Sequence, residues 1–202
     1  MPRAAYRARG RTKRSQATRA RIMEATRELL DKGEFHETSV EDVAERAGVS
    51  RATVYQHFPS RLDLVDAICD TFSENPDLVA LRDTVTLPDP SRALDETIAK
   101  TVGFWGSEDT ILEQLYGATA IDSAARDLVE RQLADRRGEM QRLARHLDEA
   151  GRLRSGVSRL EALTQLMVLT SYGTYRELRR QGLSDARAIR HLQATARRLL
   201  GR

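Results

Sequence analysis

TSVEDVAERAGVSRATVYQHFPSRLDL, residues 38–64, is the stretch that decides how this chain is read. Val40, Val43, Ala44 and Ala47 recur at helical spacing, which predicts a short helix over 39–47. Ser39 caps it, because its hydroxyl accepts from the free backbone N–H of Asp42. Gly48 ends it, since glycine adopts φ > 0 without a Cβ clash. Val49 then plugs the angle, and Ser50 caps a second helix of about two turns over 51–58. Pro59 cannot continue that helix, and Ser60 starts another with Leu62, Leu64, Val65 and Ile68 available for burial. Helix, glycine turn, short helix is the plan of a helix-turn-helix, whose second helix enters the DNA major groove.

The second helix has a surface suited to that task. Ala52 and Val54 are small or apolar, while Arg51, Thr53, Tyr55, Gln56 and His57 offer hydrogen-bonding groups at nearly every other position. A helix with only packing to do carries longer Glu and Lys side chains outside. Close approach to another polymer calls for small residues, with forked or hydroxyl donors to make the contacts.

These residues closely resemble the DNA-binding signature of the tetracycline-repressor (TetR) family. The resemblance rests on Thr38-Ser39, Val43-Ala44, Ala47-Gly48-Val49-Ser50, Ala52-Thr53-Val54-Tyr55 and His57-Phe58. Ala52 replaces the commoner glycine, and Arg61 stands where the family usually has lysine; each keeps the relevant size or charge. The strong match covers roughly residues 17–65. It implies that Thr38, Tyr55 and His57 hydrogen-bond phosphates, and that Arg61 adds a charged phosphate contact at a helix N-terminus. Ser39 and Ser50, which start the two helices, belong to the same DNA-facing set. Base reading falls to the early part of the second helix. Arg51 is the first candidate, because a guanidinium pairs with both acceptors of guanine. Thr53 and Gln56 follow, and Ala52 permits close approach to a thymine methyl. Val49, Val54 and Phe58 read as packing.

The rest of the chain fits this frame. Its 202 residues suffice for a core without disulfides, and the single cysteine, Cys69, reads as a small buried hydrophobe. No apolar run approaches the ~20 residues of a membrane span, and the N-terminus lacks the apolar centre of a signal peptide, so a soluble, cytoplasmic protein is expected. Net charge is only +3, yet residues 1–16 hold Arg3, Arg7, Arg9, Arg11, Lys13 and Arg14 and no acid. A like-charged block without apolar periodicity is expected to be disordered alone and to seek polyphosphate. Arg9-Gly10-Arg11 is similar to the core of an AT-hook, which lies in the minor groove, but lacks its flanking prolines; a solvated basic tail is the simpler reading.

Helical periodicity continues to the end. Helices are predicted over 17–32, 60–73, 91–105, 108–119, 123–150, 158–181 and 184–200, with room for at most a short one over 77–84 between prolines. The expected fold is all-α with about nine helices: a disordered basic arm over 1–16, a three-helix helix-turn-helix DNA-binding domain over 17–73, and a helical ligand-binding and dimerisation domain over 74–202. The resemblance implies a homodimer through the last two helices, a double-stranded DNA operator, and a small-molecule effector that favours one of two states. Phe104, Trp105, Tyr116, Met140, Met167, Tyr172 and Tyr175 are the candidate lining, although such a set at helical spacing also suits plain core. No metal or organic cofactor is implied. The four histidines show no metal-ligand spacing, and no phosphate-cradling loop, nucleophile elbow or thiol dyad supports an enzyme. The rival readings are an architectural DNA binder that uses the basic arm without a ligand, and a helical adaptor that binds protein partners and no DNA.

Overall fold

Hydroxyl, amide and carboxylate oxygens at helix starts divide the chain. Ser39, Ser50, Asn75, Asp89, Ser158 and Ser171 each accept a bond from a backbone N–H two or three residues on, and Pro76 and Pro90 stand at first helical positions. The computed structural model describes residues 3–35, 37–120 and 122–201, apart from the side chains of 3–11, Gln132 and Leu133. Expectations about the side chains of Arg3, Arg7, Arg9, Arg11, His36 and Leu133 lie outside the described residues. The helices are α1 Arg3–Asp31, α2 Val40–Arg46, α3 Arg51–His57, α4 Arg61–Thr71, α5 Pro76–Thr84, α6 Pro90–Ser107, α7 Asp109–Ala118, α8 Ser123–Glu149, α9 Arg159–Leu169, α10 Tyr172–Arg180 and α11 Asp185–Leu200, with a 3-10 turn at Phe72–Glu74.

The fold is all-helical, as the periodicity predicts, but the described residues form eleven α-helices and not about nine. Two local causes account for the difference. The Asn75 side chain and Pro76 start α5 as a separate helix. The predicted helix over 158–181 breaks at a Thr-Ser pair: the Thr170 hydroxyl donates back to the Leu166 carbonyl (2.6 Å), while Ser171 turns extended (ψ 150°) and its hydroxyl accepts from Thr174 N–H (3.1 Å).

A second correction concerns the basic arm. Over residues 3–16, where the sequence predicts disorder, the chain is helical: α1 begins at Arg3 and runs unbroken into the packed segment. Alanine and arginine are strong helix formers, no proline follows position 2 in this helix, and Gly10 costs only about 1 kcal/mol against alanine. Propagation backward from a helix already nucleated by packing outweighs the like-charge repulsion. Among the described side chains, Ile22 is the first in α1 to be buried.

The chain forms two compact units. The first runs up to Thr71 and includes Thr110–Val129; the second comprises Phe72–Asp109 and Glu130–Arg202. The first crossing lies close to the predicted boundary at 73, but 110–129 groups with the N-terminal unit. The Gln114 amide explains this locally, donating to the Leu30 carbonyl at the end of α1 (2.7 Å), and Ile111, Leu112 and Leu115 are buried. The core of this unit holds Ile22, Leu29 and Leu30 from α1, Val43 from α2, Val54 from α3, and Leu64 and Ile68 from α4.

In the second unit α6 supplies Leu94, Ile98 and Val102, α8 supplies Met140, Leu143 and Leu147, and α11 supplies the four-residue stripe Ala188, Leu192, Ala196 and Leu200. Asp95 fastens α11 to α6: its carbonyl accepts from the Gln193 amide (3.0 Å) and its carboxylate pairs with Arg197. The Asp77 carboxylate, paired with Lys100 (3.1 Å), lies where a Cβ at Gly103 would be, so a larger residue there would have to displace it. Among the described residues, no helix is long and apolar enough to cross a membrane.

The capping box of α2 gives a direct stability test. Asp42 accepts from the Ser39 hydroxyl (2.6 Å) and from its N–H (2.8 Å), and these bonds hold its carboxyl below the ordinary 3.8. Ser39→Ala is expected to lower Tm by about 2–4 °C at neutral pH. A carboxylate with a depressed native pKa stabilises above its unfolded value and loses that contribution as pH falls through the native one. The calorimetric gap between the two proteins should therefore narrow on acidification to about pH 3.

Candidate nucleic-acid interface

The turn between α2 and α3 sets what α3 exposes. Gly48 has φ +63°, and Val49 N–H reaches back to the Ala44 carbonyl (2.9 Å), which closes the end of α2. The Ser50 hydroxyl then accepts from Thr53 N–H (3.2 Å) and starts α3. In this register Val54 and Phe58 point inward, 0% and 2% exposed. Arg51, Ala52, Tyr55 and Gln56 are exposed, on the i, i+1, i+4, i+5 face. Short side chains at Ala52 and Thr53 stand beside the longer donors Arg51 and Gln56, as close approach to a groove requires.

The other predicted contacts are partly committed within the protein. The Thr38 hydroxyl donates to the Glu34 carbonyl (2.7 Å), which leaves its lone pairs and its exposed edge. Ser39 is wholly engaged in the capping box. Ser50 and Thr53 share a hydroxyl–hydroxyl bond (2.8 Å), so neither hydroxyl is idle. His57 is half-buried beside Phe58, with ring centroids 6.4 Å apart. Arg61 places its guanidinium 4.4 Å from the centroid of the Phe35 ring, and burial lowers its pKa from the ordinary value. An arginine stays charged under such a shift, so it still presents a cation.

Two basic residues missed in the sequence reading join this surface. Arg19 of α1 stacks its guanidinium over Phe58 (4.8 Å to the centroid). A Cβ at Gly48 would lie 3.6 Å from Nη1 of Arg21, so that guanidinium sits beside the turn. The signal for both was available in the helical register of α1, just before Ile22.

Arg51 is held by groups from two helices. Its Nη1 pairs with the Glu41 carboxylate, its Nη2 donates weakly to the Tyr55 hydroxyl (3.5 Å), and its Cζ lies 5.4 Å from the Tyr55 ring centroid. Tyr55 first, and Glu41 second, raise its pKa further.

Of the candidate effector-lining residues, six lie in the second unit, whereas Tyr116 lies on α7 in the first. Phe104, Trp105, Tyr172 and Tyr175 form a run of ring contacts with centroids 4.9, 5.6 and 6.1 Å apart. Their polar tips are tied. Trp105 Nε1 donates to the Thr170 carbonyl (3.0 Å), Tyr172 to Asp109 (2.7 Å) and Tyr175 to Asp185 (3.2 Å). Burial, followed by Asp185 and Asp109, pushes the Tyr175 hydroxyl far up. Met140 is buried and Met167 half-buried.

Residues 22–68 match the family model described as bacterial regulatory proteins, tetR family. The N-terminal unit thus contains a helix-turn-helix DNA-binding domain of transcription regulation. Over these residues, about a quarter of the chain, it is similar to the TetR family. It is 41% identical over 66 residues to the HTH-type transcriptional regulator TtgR of Pseudomonas putida, covering 33% of this chain and 31% of TtgR. The match therefore spans about a third of the length of such curated relatives. Over the whole fold the chain is similar to NalD of Pseudomonas aeruginosa, the secondary repressor of the MexAB-OprM multidrug efflux pump (TM-score 0.70, 23% identity, 93% of this chain and 98% of that one). It is also similar to SmeT in complex with triclosan (TM-score 0.72, 18% identity, 92% of each chain).

Since a Cβ at 48 meets only ordinary contact, the backbone conformation decides the effect of a substitution there. Gly48→Ala is expected to cost about 1–2 kcal/mol and to lower Tm by about 2–8 °C, with Gly48→Asn less affected because asparagine tolerates the left-handed region. Thermal denaturation of the two variants checks the order.

Proposed function

We propose that this chain is a ligand-responsive transcriptional regulator that binds a palindromic operator as a homodimer, represses from it, and is released by a small molecule. The observation that carries the reading is the outer face of α3, where Arg51, Ala52, Tyr55 and Gln56 stand exposed on a helix pinned from behind by Val54. Arg51 and Gln56 read base edges, and Ala52 allows the approach. Tyr55, Thr38, His57 and Arg61 hold phosphates, joined by Arg19 and Arg21.

One recognition helix reads only a few base pairs, so useful specificity takes two copies related by a dyad. Support for a second copy comes from the last helices. Leu160 and Val168 are 70% and 60% exposed in one line along α9 with Thr164 between them, and Leu199 of α11 is 40% exposed. Aligned exposed apolar side chains of this kind suit an interface between copies. An apolar or aromatic effector suits the rings and thioethers of Phe104, Trp105, Met140, Met167, Tyr172 and Tyr175, and SmeT with triclosan is a precedent on the same fold. Such a ligand shifts the equilibrium between two states only by its differential affinity for them.

A second reading, an architectural DNA-binding protein, is favoured by α1, whose segment 3–21 carries eight Arg or Lys residues and no acid. The two readings separate on sequence discrimination and on release. Arg51→Ala should abolish discrimination between operator and random duplex while leaving salt-sensitive binding; equal loss on both duplexes counts against base reading. Sedimentation should give the wild type two protomer masses, against 22.8 kDa for one chain, and the double variant Leu160→Glu, Val168→Glu a single mass with operator binding lost. A wild-type mass near one protomer sinks the dimer.

A further inference from the structure

Arg51 is the first residue of α3 and so stands at the positive end of the helix dipole, where a cation gains nothing from its own helix. Its anionic partner comes from another helix: Glu41, the second residue of α2, whose carboxylate meets Nη1. The two side chains are 58% and 52% exposed. An ion pair this open contributes little to stability. Asp42 already completes the capping box of α2, so Glu41 is not needed for that task. Its carboxylate instead lies on the surface that faces a polyanion, where an acid is unfavourable unless it does something there.

We propose that Glu41 is a specificity-determining residue of the DNA-reading face, which holds the Arg51 guanidinium for a base edge and turns phosphate away from it; this rests on the DNA-binding reading above. Glu41 on one side and the hydroxyl and ring of Tyr55 on the other restrict the guanidinium from two directions. Arginine has five N–H donors, so the bonds to Glu41 and Tyr55 leave enough for a bidentate contact with guanine. Without the carboxylate, the same guanidinium is free to settle on any phosphate, a contact that carries no sequence information. The acid thus acts as the repulsive element that discrimination needs, weakening binding in every register but lowering it least in the one where Arg51 finds its base.

The test uses the full-length protein and two duplexes: one enriched by the wild type from a randomised pool, and one of equal length and composition with scrambled sequence. Wild type, Glu41→Gln, Glu41→Asp, Arg51→Ala and the double variant Glu41→Gln, Arg51→Ala are compared by fluorescence anisotropy at several salt concentrations, with Tm measured for each. Glu41→Gln is expected to tighten binding to the scrambled duplex about three- to tenfold and to lower the specificity ratio about tenfold, with a steeper salt dependence and little change in Tm. Glu41→Asp should recover part of the ratio, and in the Arg51→Ala background Glu41→Gln should change the ratio no further. An unchanged ratio in Glu41→Gln overturns the proposal, as does an equal loss with and without Arg51. A wild type that enriches no duplex removes the base-reading role of α3 proposed above, and this assignment with it.

Discussion

The left-handed residue at Gly48 is the constraint on which the outer face of α3 depends. It lets α2 stop, reverses the chain within a few residues, and presents Ser50 to cap α3. The register of α3 follows. With Val54 and Phe58 turned into the core, Arg51 and Tyr55 are forced outward on the same face. A shift of one residue rotates a helix by about 100° and would drive the Arg51 guanidinium toward apolar packing without a partner. The chemistry of the outer face is therefore set by a backbone dihedral that has no chemistry of its own.

Around that turn, guanidinium groups are placed by rings. Arg19 lies over Phe58, Arg61 over Phe35 and Arg51 beside Tyr55. Stacking on an aromatic face leaves the edge of a guanidinium, with its N–H donors, directed away from the ring. Positive charge is thereby fixed in position on a surface that otherwise leaves long side chains free. The Phe58 and Phe35 rings are themselves buried, so each connects a core position to a cation on the surface.

Much of this was legible in the sequence, because the signals are local. Ser39 with Asp42, Gly48, and Ser50 with Thr53 act within three residues of one another, and spacing alone shows the inward face of α3. What was not legible depends on partners distant in sequence or on competition between local forces. The grouping of 110–129 with the first unit reflects a bond from Gln114 to Leu30, eighty-four residues apart. The helical start of α1 reflects propagation winning over charge repulsion, which composition alone does not decide. The break at Thr170 and Ser171 depends on which carbonyl each hydroxyl reaches. Arg19 and Arg21 were overlooked because their partners, Phe58 and the Gly48 turn, lie on other elements. In the second unit, Phe104, Trp105, Tyr172 and Tyr175 read as effector lining or plain core, and the run of ring contacts they make depends on partners up to about seventy residues apart.

The central claim is that this face reads a particular duplex sequence, twice, about a dyad. Enrichment of duplexes from a randomised pool by the purified full-length protein, followed by sequencing, tests it most directly. The account predicts a two-fold symmetric motif whose half-sites lie one helical turn, or a multiple of it, apart. Recovery of unenriched sequence, with binding that depends on salt but not on base order, would contradict it.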